Sequence, residues 1–416
     1  MFLEVRCTLK KYNYIRLLRS HKGNAQLNRI TDLERRYVSE ALDNGFRTSL
    51  NSTFNNKLER TWCEKFHAKY AMGHVNGTAT LHTAIAALGL KSGDEVIVPP
   101  LTMSSTGLAV LHHNALPVFA DVNPETFNID AAAIERCITA RTRAVMTVAL
   151  YGLSPDYDSI LAVCRKHNLY LIEDNAESVK GLYKGKMVGE FGHFASFSFQ
   201  ASKHLTCGEG GILTTNDEDL GTKARRFSGL GYAGVSAKQG KITRNDIQDP
   251  NYSRHVSLGF NYRMSELTAA VALAQVERVD ELIEQRVKAA KLYDEAIRGC
   301  SFLSRQAEPE GYKNSYWSYS VILKTEKPQT DWYRFRDLFQ KNGGDGYYAA
   351  WKLTYMEPLF QQQIQQMNGI WQQYKSGLCP TAEYLQPRML QLKTNYWDLA
   401  EAESQALVLR KTINQF

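Results

Sequence analysis

Several common architectures are excluded by what this sequence lacks. Its seven cysteines (Cys7, Cys63, Cys137, Cys164, Cys207, Cys300, Cys379) are odd in number, far apart and form no Cys-x-x-Cys pair. Neither a disulfide framework nor a zinc site is suggested, no metal site is expected, and a reducing cytoplasm fits best. No apolar run is long enough to cross a bilayer. The N-terminus, MFLEVRCTLKKYNYIRLLRSHKG, has no continuous apolar core of the signal-peptide kind. Excess charge is small too: Lys+Arg 50 against Asp+Glu 43 leaves +7, spread along the chain. That balance suits phosphate or carboxylate ligands, but it forms no basic stripe for nucleic acid. Internal repeats are absent.

What is present is ordinary globular composition, 44% hydrophobic and 22% charged over 416 residues, a length that favours two domains. Between about residues 70 and 215, short apolar runs alternate with amphipathic stretches. The runs are Tyr70–Val75, Glu95–Val98, Leu116–Val122, Ala144–Leu150, Leu169–Ile172, His193–Phe199 and Ile212–Thr215; helical patterns such as Thr80–Leu88 and Ser159–His167 lie between them. Near-continuous apolar strands separated by helices predict an α/β fold whose sheet is mostly parallel and covered on both faces. Pro99-Pro100, Gly152, Gly185 and Gly208 through Gly211 punctuate strand ends. In such sheets ligands bind beyond the carboxyl ends of the strands.

From Arg263 to Arg298, Met264, Leu267, Val271, Ala274 and Val279 recur at helical spacing, and Gly299 stands where a terminating glycine would. This predicts one long helix leading from a large domain to a smaller one. Beyond it come a strand-like Tyr316–Leu323, a helix around Trp332–Asn342, a Gly-Gly-Asp-Gly turn, and an amphipathic helix over Gln361–Gln373. The expected layout is an N-terminal extension over 1–25 (a flexible tail by default), a large domain over 26–275 and a smaller α+β domain over 276–416.

Three stretches carry chemistry. In Ser196-Phe-Ser-Phe-Gln-Ala-Ser-Lys203-His-Leu-Thr-Cys-Gly-Glu-Gly-Gly211, an apolar strand delivers a lysine into a glycine-rich turn before another strand resumes. Partial desolvation there favours the neutral amine, the nucleophile that a Schiff base needs. Ser196 and Ser198 share a strand face and offer hydroxyls to a phosphate. The plain alternative for Lys203 is a solvated surface lysine. In Leu171-Ile-Glu-Asp174-Asn-Ala-Glu177, acid groups end an apolar strand. Asp174 is suited to face the pyridine nitrogen of pyridoxal phosphate (PLP), keeping it protonated so that the ring is an electron sink; the alternative is a helix N-cap. In His74-Val-Asn-Gly77-Thr78-Ala-Thr80-Leu, a strand turns into a helix whose first N–H groups, with the Thr78 and Thr80 hydroxyls, form a phosphate cradle or simply a capped helix start.

Together these stretches resemble the DegT-type (DegT/DnrJ/EryC/StrS) sugar aminotransferases of PLP fold type I. The resemblance runs from about Asn28 to the C-terminus and rests on five landmarks in family order. These are Asn-Gly-Thr-Ala-Thr-Leu, Glu-Val-Ile-Val-Pro-Pro-Leu-Thr, Ile-Glu-Asp-Asn-Ala-Glu, Phe-Gln-Ala-Ser-Lys-His-Leu-Thr-Cys-Gly-Glu-Gly-Gly and Gly-Phe-Asn-Tyr-Arg-Met-Ser-Glu. It implies that Lys203 binds the cofactor covalently and moves the proton, that Asp174 partners the pyridine nitrogen and that Glu177 lies near the ring hydroxyl. It further implies that Gly77, Thr78 and Ser198 contact the phosphate. Asn261 would reach the phosphate of a neighbouring subunit, giving a homodimer with shared active sites. Arg263 would meet a substrate carboxylate, or else pair with Glu266 inside the dimer interface.

Three positions depart from the family pattern. Met103 stands where an aromatic residue usually stacks on the ring, Ala149 replaces a common His, and Trp351 stands near a substrate-side His position. A polarizable thioether can still pack on a ring. All three differences gather on the substrate side. The resemblance implies an aminotransferase that takes nitrogen from L-glutamate and delivers it to a keto-sugar for cell-surface polysaccharide, lipopolysaccharide or antibiotic assembly. The acceptor would be a nucleotide-linked 4-keto-6-deoxyhexose, an oxidised octulosonate or a keto-cyclitol. Two rivals are a PLP-dependent sugar dehydratase, which carries histidine where Lys203 stands, and a non-catalytic sensor of the same fold.

Overall fold

The structure is a computed structural model that describes residues 28–46, 53–238, 248–366 and 372–416. The expected extension over 1–25 lies outside the described residues.

Fourteen strands run β1 (Tyr70–His74), β2 (Glu95–Val98), β3 (Leu116–Phe119), β4 (Thr142–Val148), β5 (Tyr170–Asp174), β6 (Leu182–Tyr183), β7 (Lys186–Met187), β8 (Phe194–Ser198), β9 (Gly211–Thr215), β10 (Leu303–Arg305), β11 (Tyr312–Lys313), β12 (Ser318–Leu323), β13 (Tyr348–Ala349) and β14 (Met389–Lys393) among the described residues. Seven form the central sheet in the order β1-β9-β8-β5-β4-β2-β3. Its pairings are parallel from β8 through β5, β4 and β2 to β3, whereas β9 runs antiparallel between β8 and β1. A four-stranded antiparallel sheet, β10-β12-β14-β13, follows later in the chain. A small three-stranded sheet pairs β6 with β7 and with β11.

The apolar runs became strands because both faces of the sheet are covered. Alternate residues feed two cores: Ile97, Val145, Leu171 and Ile212 join one, while Val96, Val98, Met146, Ile172 and Leu213 join the other. Period-two geometry sends neighbours to opposite faces, so a doubly covered strand is near-continuously apolar. The first core is anchored by Trp62 of the helix Phe54–Phe66, which stacks on Phe66 at 4.0 Å and meets the edges of Phe197 and Phe199. The second packs helices Gly77–Ala87 and Ser105–His112 together with Tyr355, Phe360 and Tyr374. A third core unites the four-stranded sheet with helices Val279–Ile297, Pro328–Lys341 and Leu399–Gln415.

The long helix expected over Arg263–Arg298 is instead two, Glu266–Glu277 and Val279–Ile297, broken at Arg278. No proline or glycine marks the break. Arg278 is held from far along the chain, by Glu34 at 2.8 Å and by the carbonyls of Asn28 and Arg29. Tertiary hydrogen bonds here override a continuous periodic pattern. The Gln-rich stretch gives a helix over Pro358–Gln366, and Met367, Ile370 and Trp371 lie outside the described residues.

Candidate active site

A cavity of about 690 Å³ opens at the carboxyl ends of the parallel strands. Lys203, Asp174, Glu177, Gly77, Thr78, Ser198, Met103 and Trp351 all line it. Residues scattered over 275 positions of sequence thus meet because each follows the end of a strand or a sheet-edge turn.

Asp174 ends β5 and is fully buried, accepting hydrogen bonds from the Thr106 hydroxyl at 2.9 Å and the Ala176 N–H at 3.1 Å. No helix starts there, so the N-cap alternative fails. Burial pushes its carboxyl above the usual range, with the two hydrogen bonds and the Lys203 charge pulling partly back. Glu173, one residue earlier, points to the other face of the sheet. It is sealed by the N–H groups of Gly189, Phe191 and Gly192 and the Tyr157 hydroxyl, so it serves the fold rather than the cavity.

Lys203 lies in the turn after β8, and its Nζ is 3.1 Å from Glu177 Oε1. The Lys203 side chain is 11% exposed and Glu177 only 3%. The solvated-surface alternative for this lysine is therefore wrong. Burial raises the Glu177 carboxyl, and the Lys203 ammonium and the Tyr151 N–H, 3.2 Å away, oppose that rise. Tyr151 holds this N–H in place from a left-handed backbone position, φ 60°.

Across the cavity, the helix Gly77–Ala87 begins where Asn76 caps it by accepting from the Ala79 N–H at 2.8 Å. Gly77 is required by close approach: a Cβ there would sit 3.0 Å from Ser198 Cβ and 3.3 Å from its hydroxyl. Two expected phosphate donors do not reach the cavity. The Thr80 and Ser196 hydroxyls are buried 2.5 Å from each other, and Thr80 also donates to the Gly77 carbonyl. The cradle side of the cavity is left to Gly77, Thr78 and Ser198.

Met103 is 46% exposed in the cavity wall. Trp351 lies nearly parallel to Trp317, 18° apart with ring centroids at 5.8 Å, and the Tyr151 ring lies 6.3 Å from each of them. Asn261 and Arg263 do not enter the cavity of their own chain. They run beside the end of β1, bridged to Gly229 and His74, and Asn261 is exposed. Glu266 accepts from the N–H groups of Thr53, Phe54 and Asn55.

Trp317, Tyr348, Gln200 and Gln391 also line the cavity and were not singled out from sequence. Trp317, Tyr348 and Gln391 come from the second sheet or its edges, more than 100 residues after Lys203, and no local motif marks them.

Residues 28–410 match the DegT/DnrJ/EryC1/StrS aminotransferase family. The chain belongs to that family. Members of the family are PLP-dependent, and the chain is similar to GDP-perosamine synthase of Caulobacter vibrioides, 40% identical over 299 residues that cover 71% of this chain and 76% of that protein. GDP-perosamine synthase of Escherichia coli O157:H7 is 36% identical over 302 residues, covering 73% and 78%. Among solved structures, an aminotransferase from Psychrobacter cryohalolentis superimposes with a TM-score of 0.82 at 26% identity, covering 94% of this chain and 99% of that one. The chain is thus a PLP-dependent aminotransferase, and its cavity has the groups this cofactor needs: an amine, a buried carboxylate and a helix start beside a serine hydroxyl. No helix among the described residues is long and apolar enough to cross a membrane.

Proposed function

We propose that the protein moves an amino group from L-glutamate to a nucleotide-linked keto-sugar, the product serving cell-surface polysaccharide or lipopolysaccharide. The observation that carries this reading is the amine of Lys203 held by a buried carboxylate inside a cavity whose wall also presents Asp174. The relatives named GDP-perosamine synthase favour a GDP-linked sugar over an octulosonate or a keto-cyclitol.

Bound PLP supplies an electron sink for the bonds of the substrate carbon. The chain's own residues do the rest. Asp174 holds the proton on the pyridine nitrogen; its burial in a carboxylate's least favourable setting is relieved by that positive charge. Gly77, Thr78 and Ser198 hold the phosphate, and Met103 packs on the ring. Lys203, once free, takes the proton from the substrate carbon and returns it, with Glu177 orienting its amine. Trp351 faces the sugar, and Arg263 meets the donor carboxylate. Asn261 of each subunit reaches the phosphate of its neighbour, so the working unit is a homodimer in the cytoplasm. We assign residues 26–275 to a large cofactor-binding domain and 276–416 to a small one.

The dehydratase and sensor readings have less support, because the buried Lys203–Glu177 pair keeps a nucleophile where a dehydratase has histidine and a sensor needs none. The test is product analysis by mass spectrometry after incubation with ¹⁵N-glutamate, PLP and a panel of keto-sugars. Label in a GDP-linked amino sugar supports the proposal. Loss of a hydroxyl without label uptake favours dehydration.

A further inference from the structure

Something must hold the Lys203 turn while the lysine changes partners, and the contacts around it name the residues. All three carbonyls of Ala201–Lys203 are taken by side chains from outside the turn. Arg29 donates to Ala201 O at 2.5 Å and to Lys203 O at 2.7 Å; Arg286 donates to Lys203 O at 3.2 Å. The Ser202 carbonyl accepts from the indole N–H of Trp317 at 3.0 Å. The face of the same indole lies 4.4 Å from Lys203 Nζ. Trp317 therefore touches both the turn, through the Ser202 carbonyl, and the lysine amine.

Trp317 is itself fixed from three directions. Its carbonyl accepts from Arg286 at 2.8 Å and from the Thr394 hydroxyl at 3.0 Å. Its ring lies within 10° of parallel to Tyr151 and 18° to Trp351. Gly152 presses against the backbone just before it: at φ +108°, a Cβ there would stand 2.4 Å from Tyr316 N and 3.0 Å from Trp317 N. The second sheet and the loop after β4 thus set the indole's place.

We propose that Trp317 is a positioning residue for Lys203, with its N–H anchoring the turn and its ring face receiving the amine whenever the lysine is free. The proposal rests on the aminotransferase reading and adds no chemical step to it. On taking the proton Lys203 becomes an ammonium, and a cation on an aromatic face is attracted to the ring quadrupole, most strongly where water is excluded, as it is around this 11% exposed side chain. The lysine then waits close to the substrate carbon instead of swinging among solvent-facing rotamers, whose freedom slows proton transfer.

The test compares Trp317→Phe, which keeps a ring face but loses the N–H, with Trp317→Leu, which loses both. Two readouts are needed. One is the donor half-reaction, followed in a single turnover per loaded site with saturating donor, together with the donor concentration dependence. The other is independent of the cofactor: the rate at which an amine-reactive label modifies Lys203 in cofactor-free protein, by peptide mass spectrometry. We expect Trp317→Leu to slow the half-reaction about tenfold at nearly unchanged donor dependence and to label Lys203 several-fold faster. Trp317→Phe should fall between it and the wild type in both, and it carries the comparison alone if the leucine variant does not fold. Equal labelling in the wild type and both variants would overturn the proposal, as would two variants that lose cofactor or melting temperature with an unchanged rate per loaded site. If no donor converts even the wild-type protein, the aminotransferase reading fails, while the labelling contrast still decides the role of Trp317.

Discussion

Replacing Asp174 by Asn should push cofactor affinity and apoprotein stability in opposite directions. The substitution preserves the shape of a fully buried side chain, and its remaining carbonyl oxygen can accept from the Ala176 N–H. The new amide meets the Thr106 hydroxyl, which also contacts the Met103 carbonyl at 3.4 Å and can rotate to accept. The cofactor-free fold therefore loses little. It also sheds a carboxyl whose folded pKa is raised by burial. Such a group binds more protons folded than unfolded, so it stabilises least once pH has risen through the raised folded value. The variant should accordingly gain melting temperature relative to wild type as pH rises above the ordinary carboxyl value of 3.8, compared at about pH 4 and about pH 8. The loaded protein should behave oppositely. A hydrogen bond between charged partners is worth about 1.5–3 kcal/mol, so its loss should weaken PLP binding roughly ten- to hundredfold. Absorbance titration with PLP and thermal melts of the cofactor-free protein at the two pH values measure both arms. Unchanged PLP affinity would refute the role assigned to Asp174. A variant that melts lower at every pH would refute the desolvation argument.

Other consequences follow from the same packing. Gly77→Ala must displace Ser198, whose Cβ would lie 3.0 Å from the new methyl; PLP affinity measured by titration should fall about tenfold, the worth of one hydrogen bond, while the helix itself tolerates alanine. His74 is buried between the Met72 carbonyl and the Thr83 hydroxyl, and burial depresses its pKa from 6.5 to about 4. Its contribution is complete above pH 6.5 and is lost as pH falls toward 4, at about 3 kcal/mol over the whole window. Urea unfolding at pH 7 and pH 4.5 should show a smaller acid loss for His74→Gln than for wild type. Trp62→Ala removes the stacked centre of one core and should cost about 3–5 kcal/mol by the same assay, without touching the cavity.

The legible parts of this fold were those governed by local pattern. Strands such as Glu95–Val98 are legible because both faces are buried and Val96, Ile97 and Val98 form a continuous apolar run. Lys203, Asp174, Glu177, Gly77, Thr78 and Ser198 were found because each stands in a short motif at a strand end, and they do share one cavity. Pattern failed where a partner lies far along the chain. Ser196 and Ser198 look equivalent on one strand face, yet only tertiary packing reveals that Thr80 claims Ser196. The break at Arg278 depends on Glu34 and on carbonyls before it, which no periodicity encodes. Trp317 sits in a strand-like run that carries no signal of an active site, and its meaning comes from Ser202 and Lys203, brought near by the fold.

The most direct measurement is the absorbance spectrum of the purified protein with PLP, before and after L-glutamate, alongside Lys203→Ala. The account predicts a visible cofactor band that glutamate converts to the pyridoxamine spectrum, with neither the band nor the conversion in the variant. A wild-type band that L-glutamate leaves unchanged would contradict the donor and the first half-reaction, and a variant that matches wild type would remove Lys203 from the chemistry.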